Sequence, residues 1–390
     1  MIGILVVIYI VFISLGLPDS LFGVTWPVVH KDFMIPESFA SLYSIIIGVC
    51  AGGVSFVAGP LLRKFGTPKV TYFSTLLTVI GLIGISISPN IVVMMIFTVI
   101  MGYGSGAIDT GLNNYISLNY KARHMSWLHC FWGVGVTLSP LIMSSFLSGN
   151  GEWRIGYRVI ALIQFSISVL VLIFLKRWIK ADKKTSSTAD EKSDNGKKDI
   201  VSILKKKGVI TSILSQGSYC SMEFLIGTWG ASFLINSHGY LPDTAARWIS
   251  LYYCGIMIGR LISGFISIKA SDNTLIRCGI AVASIGIIIL LLPHDLFSPF
   301  GLLLIGVGFG PIFPSILHSI PERFGKEYSA DLTGFHMGGA YAIGFFIQLV
   351  FGYVATATTF NITPFVLFSL IICLILLNEH TIKTLKRGKK

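Results

Sequence analysis

Long apolar segments, joined by short polar stretches, follow one another along the whole chain. A helix needs about 20 apolar residues to cross the hydrocarbon core of a bilayer. Twelve segments of about that length lie near residues 2–23, 39–62, 69–88, 91–115, 125–147, 156–176, 209–235, 245–268, 273–292, 298–320, 330–356 and 361–378. The pattern predicts twelve transmembrane helices, and it lacks the alternating strands of a membrane β-barrel.

The composition agrees with a membrane protein. Apolar residues make up 53% of the chain and charged residues only 12%, and the mean hydropathy is +0.76. The first segment lacks the basic start and the small-residue cleavage site of a secretory signal, so we predict that it is a retained helix. An integral protein of the plasma membrane is expected.

Lysine and arginine are unevenly distributed among the predicted loops. Most follow the second, fourth, sixth and tenth segments or lie in the tail: Arg63, Lys64, Lys69, Lys121, Arg123, Lys176, Arg177, Lys205, Lys206, Lys207, Arg323, Lys326, Lys383, Lys386, Arg387, Lys389 and Lys390. The opposite loops carry only Lys31, Arg154, Arg158 and Arg247. Because positively charged loops stay in the cytoplasm, both termini are predicted to be cytoplasmic. The net charge of +12 then reflects topology rather than nucleic-acid binding.

A polar stretch divides the chain after the sixth segment. Residues 181–199 have low hydrophobicity, which is typical of a flexible linker. We therefore predict an N-terminal six-helix bundle over 1–180, a cytoplasmic linker over 181–208 and a C-terminal six-helix bundle over 209–390. The six cysteines lie in apolar segments without the paired spacing of disulfide or metal sites. No metal, cofactor or catalytic activity is predicted, and a monomer is expected.

The two halves resemble each other in register. Glycines 102, 104 and 106 of the fourth segment match glycines 306, 308 and 310 of the tenth, at an offset of 204 residues. The pairs Gly48 with Gly255 and His129 with His336 repeat at an offset of 207. Such repeats predict an all-α membrane protein with twelve transmembrane helices in two six-helix pseudo-repeats around a central cavity.

Three carboxylates, Asp19, Asp109 and Glu223, lie inside long apolar segments. An ionisable side chain at membrane depth is costly, and such residues usually bind substrate or carry protons. A carboxylate satisfied structurally needs a buried cation, and the apolar segments contain few apart from Arg260. We therefore predict that the three acids couple transport to protons. For Asp19 the alternative is a hydrated position near the outer interface.

Motifs around these acids resemble those of the major facilitator superfamily over the whole chain, and more narrowly its fucose–proton symporter-like branch. The first segment contains GLPDSLFG, the fourth GYGSGAIDTGLNN and the seventh SYCSMEFLIGTWGASFL. In that branch, sugar–proton symporters have an acid at the position of Asp109, the fucose symporters one at that of Asp19, and bacterial glucose and mannose symporters one at that of Glu223. The loop after the second segment departs from the superfamily signature, because Arg63 stands where an aspartate is usual. The resemblance implies sugar uptake with protons.

Helical spacing places further polar residues beside these acids. Residues three, four or seven apart share a helix face. Asn113 is therefore expected on the same face as Asp109, and Gln216 and Tyr219 on the same face as Glu223. The predicted substrate-binding residues are Asn113, Asn114, His129, Trp132, Gln216, Tyr219, Trp229 and His336. The alternative for the amides and histidines is hydrogen bonding between helices, and for the tryptophans it is packing.

The favoured function is proton-coupled uptake of a sugar by alternating access. A proton-coupled exporter of drugs or lipophilic metabolites would use the same fold and acids, but we would expect a more apolar site with fewer amides. A membrane sensor would be favoured by a partner domain in the linker or the tail, and neither is long enough for one.

Overall fold

The computed structural model describes residues 2–120, 122–148, 152–186, 204–292, 297–325 and 329–388. These residues form helices joined by short turns, and none of them forms a strand. The helices are α1 (Ile2–Asp19), α2 (Leu21–Asp32), α3 (Ala40–Phe65), α4 (Thr67–Ile87), α5 (Ile91–Asn119), α6 (Ala122–Leu147), α7 (Trp153–Ser186), α8 (Val209–His238), α9 (Pro242–Ile266), α10 (Asp272–Leu290), α11 (Ser298–His318), α12 (Ile320–Phe324), α13 (Ser329–Ala357) and α14 (Thr363–Gly388). The all-α class predicted from the sequence is confirmed.

Eleven helical segments within the described residues are long and apolar enough to cross a membrane. Each corresponds to one of the twelve segments predicted from the sequence. The remaining prediction, near 209–235, falls on α8, which has 30 residues but is not among those eleven. This helix carries Gln216, Glu223 and several serines, so its sequence is more polar than that of a helix that faces lipid all round.

The first membrane segment is longer than the sequence predicted. Instead of ending near residue 23, the helical segment continues through α2, and the apolar span runs over Gly3–Asp32. A break at Ser20 separates α1 from α2 and follows Pro18, which lacks the N–H needed to continue the backbone ladder. Burial of Leu21, Phe22 and Trp26 keeps the second part helical. Asp19 therefore lies within the continuous apolar helical segment Gly3–Asp32 rather than near its end.

The predicted linker also begins inside a helix. Helix α7 extends to Ser186, so residues 181–186 are helical rather than linker. The next described residue is Leu204, and α8 begins at Val209 as the sequence predicted. The rest of the predicted linker falls on residues 187–203, outside the described ranges.

The chain divides into two compact units. The first comprises Met1–Asp194 with Tyr240–Ser250, and the second comprises Asn195–Gly239 with Leu251–Lys390. In the first unit α1 packs against α6, and α4 packs against both α5 and α7. In the second unit α8 packs against α13 and α14, and α10 packs against α11.

The repeated glycines make equivalent helix contacts in the two units. In the first, Cβ atoms built at Gly102 and Gly106 would overlap α3, 2.8 Å from Cys50 Cβ and 2.5 Å from the Ala51 carbonyl oxygen. A Cβ at Gly104 would instead overlap α4, 2.7 Å from the Ser74 carbonyl oxygen.

In the second unit, Gly310 approaches α9, where a Cβ would lie 2.5 Å from the Arg260 nitrogen. Gly306 approaches the same helix at the Tyr252 carbonyl. Gly308 approaches α10, where a Cβ would lie 2.5 Å from the Gly279 carbonyl oxygen. Small residues allow helix backbones to come this close in a membrane. The shared pattern of contacts agrees with two pseudo-repeats.

Candidate functional site

The Asp19 carboxylate is held by an indole in the first unit. Trp132 Nε1 on α6 donates a hydrogen bond of 2.7 Å to Asp19 Oδ2 at the end of α1. The aspartate is exposed and the tryptophan is partly buried. The structure thus brings together an acid predicted to carry a proton and an aromatic residue predicted to bind substrate, although 113 residues separate them in the chain.

Close packing of α1 against α6 makes this contact possible. A Cβ at Gly16 would lie 2.9 Å from the Val136 nitrogen, and the Gly135 backbone meets Ile13 and Gly16 in the same way. The Ser20 hydroxyl donates 2.8 Å to the Val136 carbonyl across the same interface. Two glycines and a serine therefore fix the separation of the helices at the level of Asp19 and Trp132.

A tyrosine of a third helix lies near Asp19, and a tyrosine of a fourth lies near that one. The phenol of Tyr43 on α3 interacts electrostatically with Asp19 and with Tyr157 on α7. The Tyr43 ring stacks on Phe22 with a centroid separation of 3.5 Å. Tyr157 shares a 3.4 Å hydrogen bond with the Thr25 hydroxyl. The Asp19 carboxylate therefore has both aromatic and hydroxyl groups in its neighbourhood.

Asp109 lies on α5 beyond the glycine ladder, where it is half-buried. Asn113, one turn later, donates 2.7 Å to Asp109 Oδ1 and 3.0 Å to its backbone carbonyl. The helical stripe predicted from their spacing is therefore a direct contact. The side chain of Asn114, also predicted to bind substrate, lies outside the described part of the structure.

The two repeat-related histidines have different surroundings. His129 on α6 is partly buried and meets the edge of Phe12, with a centroid separation of 5.8 Å. His336 on α13 is fully buried, with Nδ1 2.7 Å from the Leu332 carbonyl oxygen and Nε2 2.9 Å from the Ser212 hydroxyl. Hydrogen bonds within the second unit thus engage both nitrogens of His336. Its predicted role in substrate binding remains a prediction.

Glu223 on α8 faces a cation on α9. The Arg260 NH2 nitrogen lies 3.7 Å from Glu223 Oε1, and the side chains are 10% and 11% exposed respectively. The separation is a charge contact rather than a hydrogen bond. Arg260 is the buried cation that the sequence analysis named as a possible structural partner for an acid.

Uncharged polar residues complete this cluster. Tyr219 and Cys220 on α8 and Tyr252 on α9 interact electrostatically with Glu223 and Arg260. Gln216 is fully buried, and its amide contacts the Cys220 thiol, which is a weak hydrogen-bonding group. The structure therefore places Gln216 and Tyr219 on the same polar face as Glu223, as the spacing predicted.

Trp229, further along α8 than Glu223, occupies a different environment. It is fully buried between the rings of Phe351 and Phe360, at centroid separations of 6.2 and 5.8 Å. These contacts are those of a packing residue, the alternative considered for it. Its role as a sugar platform remains a prediction.

Sequence reasoning missed the tyrosines. Tyr43 and Tyr157 come from apolar segments that contain no acid, and only the folded unit brings Tyr43 near Asp19 and Tyr157 near Tyr43. Tyr252 could have been found, because it lies eight residues before Arg260 and that spacing keeps both on one helix face. Among the described residues, no group of three or more His, Cys, Asp or Glu could hold a metal ion.

Comparison with known proteins gives the same architecture. The glucose/mannose transporter GlcP of Bacillus subtilis (strain 168) is 23% identical over 318 residues, covering 79% of this chain and 78% of that protein. A crystal structure of a D-xylose–proton symporter matches with a TM-score of 0.74 at 14% identity, covering 96% of this chain and 97% of the other.

A transporter named for a different substrate has the same fold. The crystal structure of a mutant of the nucleoside transporter NupG matches with a TM-score of 0.75 at 12% identity, covering 97% of this chain and 98% of the other. At such identities the likeness concerns the fold alone. The family profile described as Major Facilitator Superfamily matches residues 8–349. With its helical fold, paired glycine contacts and acids in apolar segments, the chain belongs to the Major Facilitator Superfamily, a family of transporters rather than enzymes.

Proposed function

We propose that the protein is a secondary active transporter that takes up a sugar together with protons by alternating access. The observation that carries this proposal is the hydrogen bond from Trp132 to Asp19. A carboxylate accepts hydrogen bonds from sugar hydroxyl groups, and an indole offers a flat apolar face together with a polar edge. The name of the glucose/mannose transporter relative, which matches over 78% of its own length, supports a sugar as cargo.

The placement of the acids Asp19, Asp109 and Glu223 in apolar segments supports the proposed proton coupling. If substrate binds more tightly to one protonation state of a carboxylate, linkage requires that substrate also favours that protonation state. A charge that moves down 100 mV of membrane potential supplies about 2.3 kcal/mol, so one proton per sugar is enough for accumulation. The matched D-xylose structure is that of a proton symporter, which supports this choice of ion.

We also propose that the protein lies in the plasma membrane with both termini in the cytoplasm. Loop charge supports this orientation, because Lys205, Lys206 and Lys207 precede α8 while the opposite loops carry few basic residues. The substrate-binding residues that we propose are Asn113, Asn114, His129, Trp132, Gln216, Tyr219, Trp229 and His336.

Uptake by the purified protein in proteoliposomes tests the function. Radiolabelled D-glucose, D-mannose and D-xylose are offered with and without an acid-outside pH gradient. We expect at least one sugar to accumulate only when the gradient is present, and a protonophore to abolish the accumulation. Efflux of lipophilic compounds without uptake of any sugar would support the exporter instead.

Two tryptophan variants on the same helix test the Asp19 contact. Trp132→Phe keeps an aromatic ring and removes the N–H, and loss of a hydrogen bond to a charged group costs about 1.5–3 kcal/mol. We expect sugar affinity to fall about tenfold or more. Trp127→Phe is the matched control, because Trp127 is on α6 and is 46% exposed, and it should bind like the wild type. Equal affinities in the two variants would refute the role of Trp132.

A further inference from the structure

We propose that Glu223 sets the charge selectivity of the transporter by neutralising Arg260, so that the second unit accepts uncharged, hydroxylated ligands and rejects anionic sugars. This inference rests on the proposed function as a sugar transporter. It assigns to the helix α8 acid a role in choosing the substrate that is separate from carrying a proton.

The opposite charges are close and largely removed from water. Glu223 Oε1 and the Arg260 NH2 nitrogen are 3.7 Å apart, and about nine-tenths of each side chain is covered. Charges this close interact strongly in a poorly solvated site. Their sum is zero, so an incoming ligand meets a polar surface that favours neither an anion nor a cation.

The neighbours of the pair can bind hydroxyl groups. Gln216 and Tyr252 are fully buried, the Tyr252 hydroxyl makes no hydrogen bond, and the Gln216 amide meets no N–H or O–H group or oxygen acceptor. The Cys220 thiol beside Gln216 is only a weak partner. Leaving such groups unpaired costs about 1–3 kcal/mol each. Hydroxyl groups of a ligand can donate to the amide oxygen and accept from the amide nitrogen and the phenol.

The Glu223–Arg260 pair should therefore discriminate between neutral and charged ligands. A guanidinium without its partner is a strong carboxylate-binding group, because it presents several N–H donors in a planar fork. Glu223 occupies the position beside that fork in the wild-type protein. Removing the glutamate charge should expose the guanidinium to an anionic ligand, and removing the arginine charge should favour a cationic one.

Competition binding by the full-length protein in detergent tests the assignment. Labelled D-glucose is displaced by D-glucose itself, by anionic D-glucuronate or by cationic D-glucosamine. In Glu223→Gln we expect the affinity for D-glucuronate relative to D-glucose to rise at least about tenfold, which corresponds to about 1.4 kcal/mol. In Arg260→Gln the relative affinity for D-glucosamine should rise instead. The double variant should return to the wild-type ratios.

A second Glu–Arg pair in the same unit provides the control. Glu379 on α14 accepts two hydrogen bonds from Arg277 on α10, at 2.6 and 2.7 Å, but the pair is more exposed, at 31% and 54%. Glu379→Gln makes the same chemical change outside the cluster, so the ratios should match the wild type. If either Glu223→Gln or Arg260→Gln does not fold, the binding ratios of the other single variant test the proposal.

The possible failures are distinguishable. If the wild-type protein binds none of these sugars and accumulates none in the uptake assay, the proposed function is rejected and the selectivity role is rejected with it. If the wild type binds D-glucose but the folded Glu223→Gln and Arg260→Gln variants keep its ratios, only the selectivity role is overturned. A shift in ratio shared by Glu379→Gln would also overturn it, because a general charge effect would then explain the result.

Discussion

The side-chain amide of Asn113 donates a 2.7 Å hydrogen bond to the Asp109 carboxylate one turn earlier on α5. The bond joins two polar side chains of a helix whose other residues are mostly apolar. A neutral donor therefore helps to hold the Asp109 carboxylate in place. Because this partner is uncharged, protonation of Asp109 would leave no unpaired positive charge on it.

Asp109→Asn should separate accumulation from exchange. The change keeps the size of the side chain and its hydrogen-bonding capacity but removes titration. We expect gradient-driven accumulation of sugar in proteoliposomes to fail, while exchange of labelled for unlabelled sugar continues, because exchange needs no net proton movement. The measurement is uptake under an acid-outside pH gradient compared with counterflow at equal pH.

The control for Asp109 is Asp243→Asn. Asp243 lies in the first turn of α9 and faces Arg247 one turn later, at 3.6 Å. Its loss should leave accumulation close to the wild-type level. Full accumulation by Asp109→Asn would reject its role in coupling, whereas loss of exchange as well would point to a role in substrate binding.

Gly308→Ala should destabilise the second unit. A Cβ at this position would lie 2.5 Å from the Gly279 carbonyl oxygen, so α10 and α11 would have to move apart. Forcing extra volume into a packed interface costs about 1–3 kcal/mol. We expect a lower melting temperature in detergent, measured by the unfolding of the purified protein.

Gly264→Ala is the comparison for Gly308. Gly264 lies on α9, and a Cβ there would meet nothing within 4 Å. This variant should melt at or above the wild-type temperature, since alanine is a better helix former than glycine. Equal melting temperatures for the two variants would contradict the close approach of α10 to α11.

Much of the fold was accessible from sequence because the signals are local. Hydropathy places the helices, and the glycines whose spacing repeats after 204 residues make close helix contacts at equivalent positions, such as Gly104 and Gly308. The end of the first span was predicted wrongly. The apolar pattern weakens after residue 23, whereas the helix continues through buried Trp26 and Pro27 to Asp32.

Contacts between residues of different helices were harder to predict. Periodicity assigns a residue to a helix face but does not say which helix that face meets. Glu223 and Arg260 could be suspected as a pair because few buried cations were available. Asp19 and Trp132 could not, because their contact depends on the approach of α1 to α6 at Gly16 and Gly135.

A network at one end of the first unit should contribute measurable stability. Asp32 at the end of α2 accepts a 3.2 Å hydrogen bond from Trp153 Nε1 and pairs with Arg154, both at the start of α7. Arg154 also donates 3.2 Å to the Ser88 carbonyl at the end of α4. We expect Asp32→Ala to lower stability by about 1 kcal/mol, since the pair is partly exposed. Arg158→Gln, which changes an exposed arginine elsewhere on α7, should leave the melting temperature unchanged, and equal effects would argue against the network.

The orientation predicted from loop charge can be tested by labelling. Single cysteines introduced between residues 187 and 199, in a variant lacking the six native cysteines, should react with an impermeant maleimide only after the cytoplasmic side is opened. A cysteine replacing Met34, which is 91% exposed after α2, should react in intact cells. The two sites lie on opposite sides in a topology with cytoplasmic termini. The reverse labelling pattern would show that the topology is inverted. Protons for the proposed uptake would then enter from the opposite side.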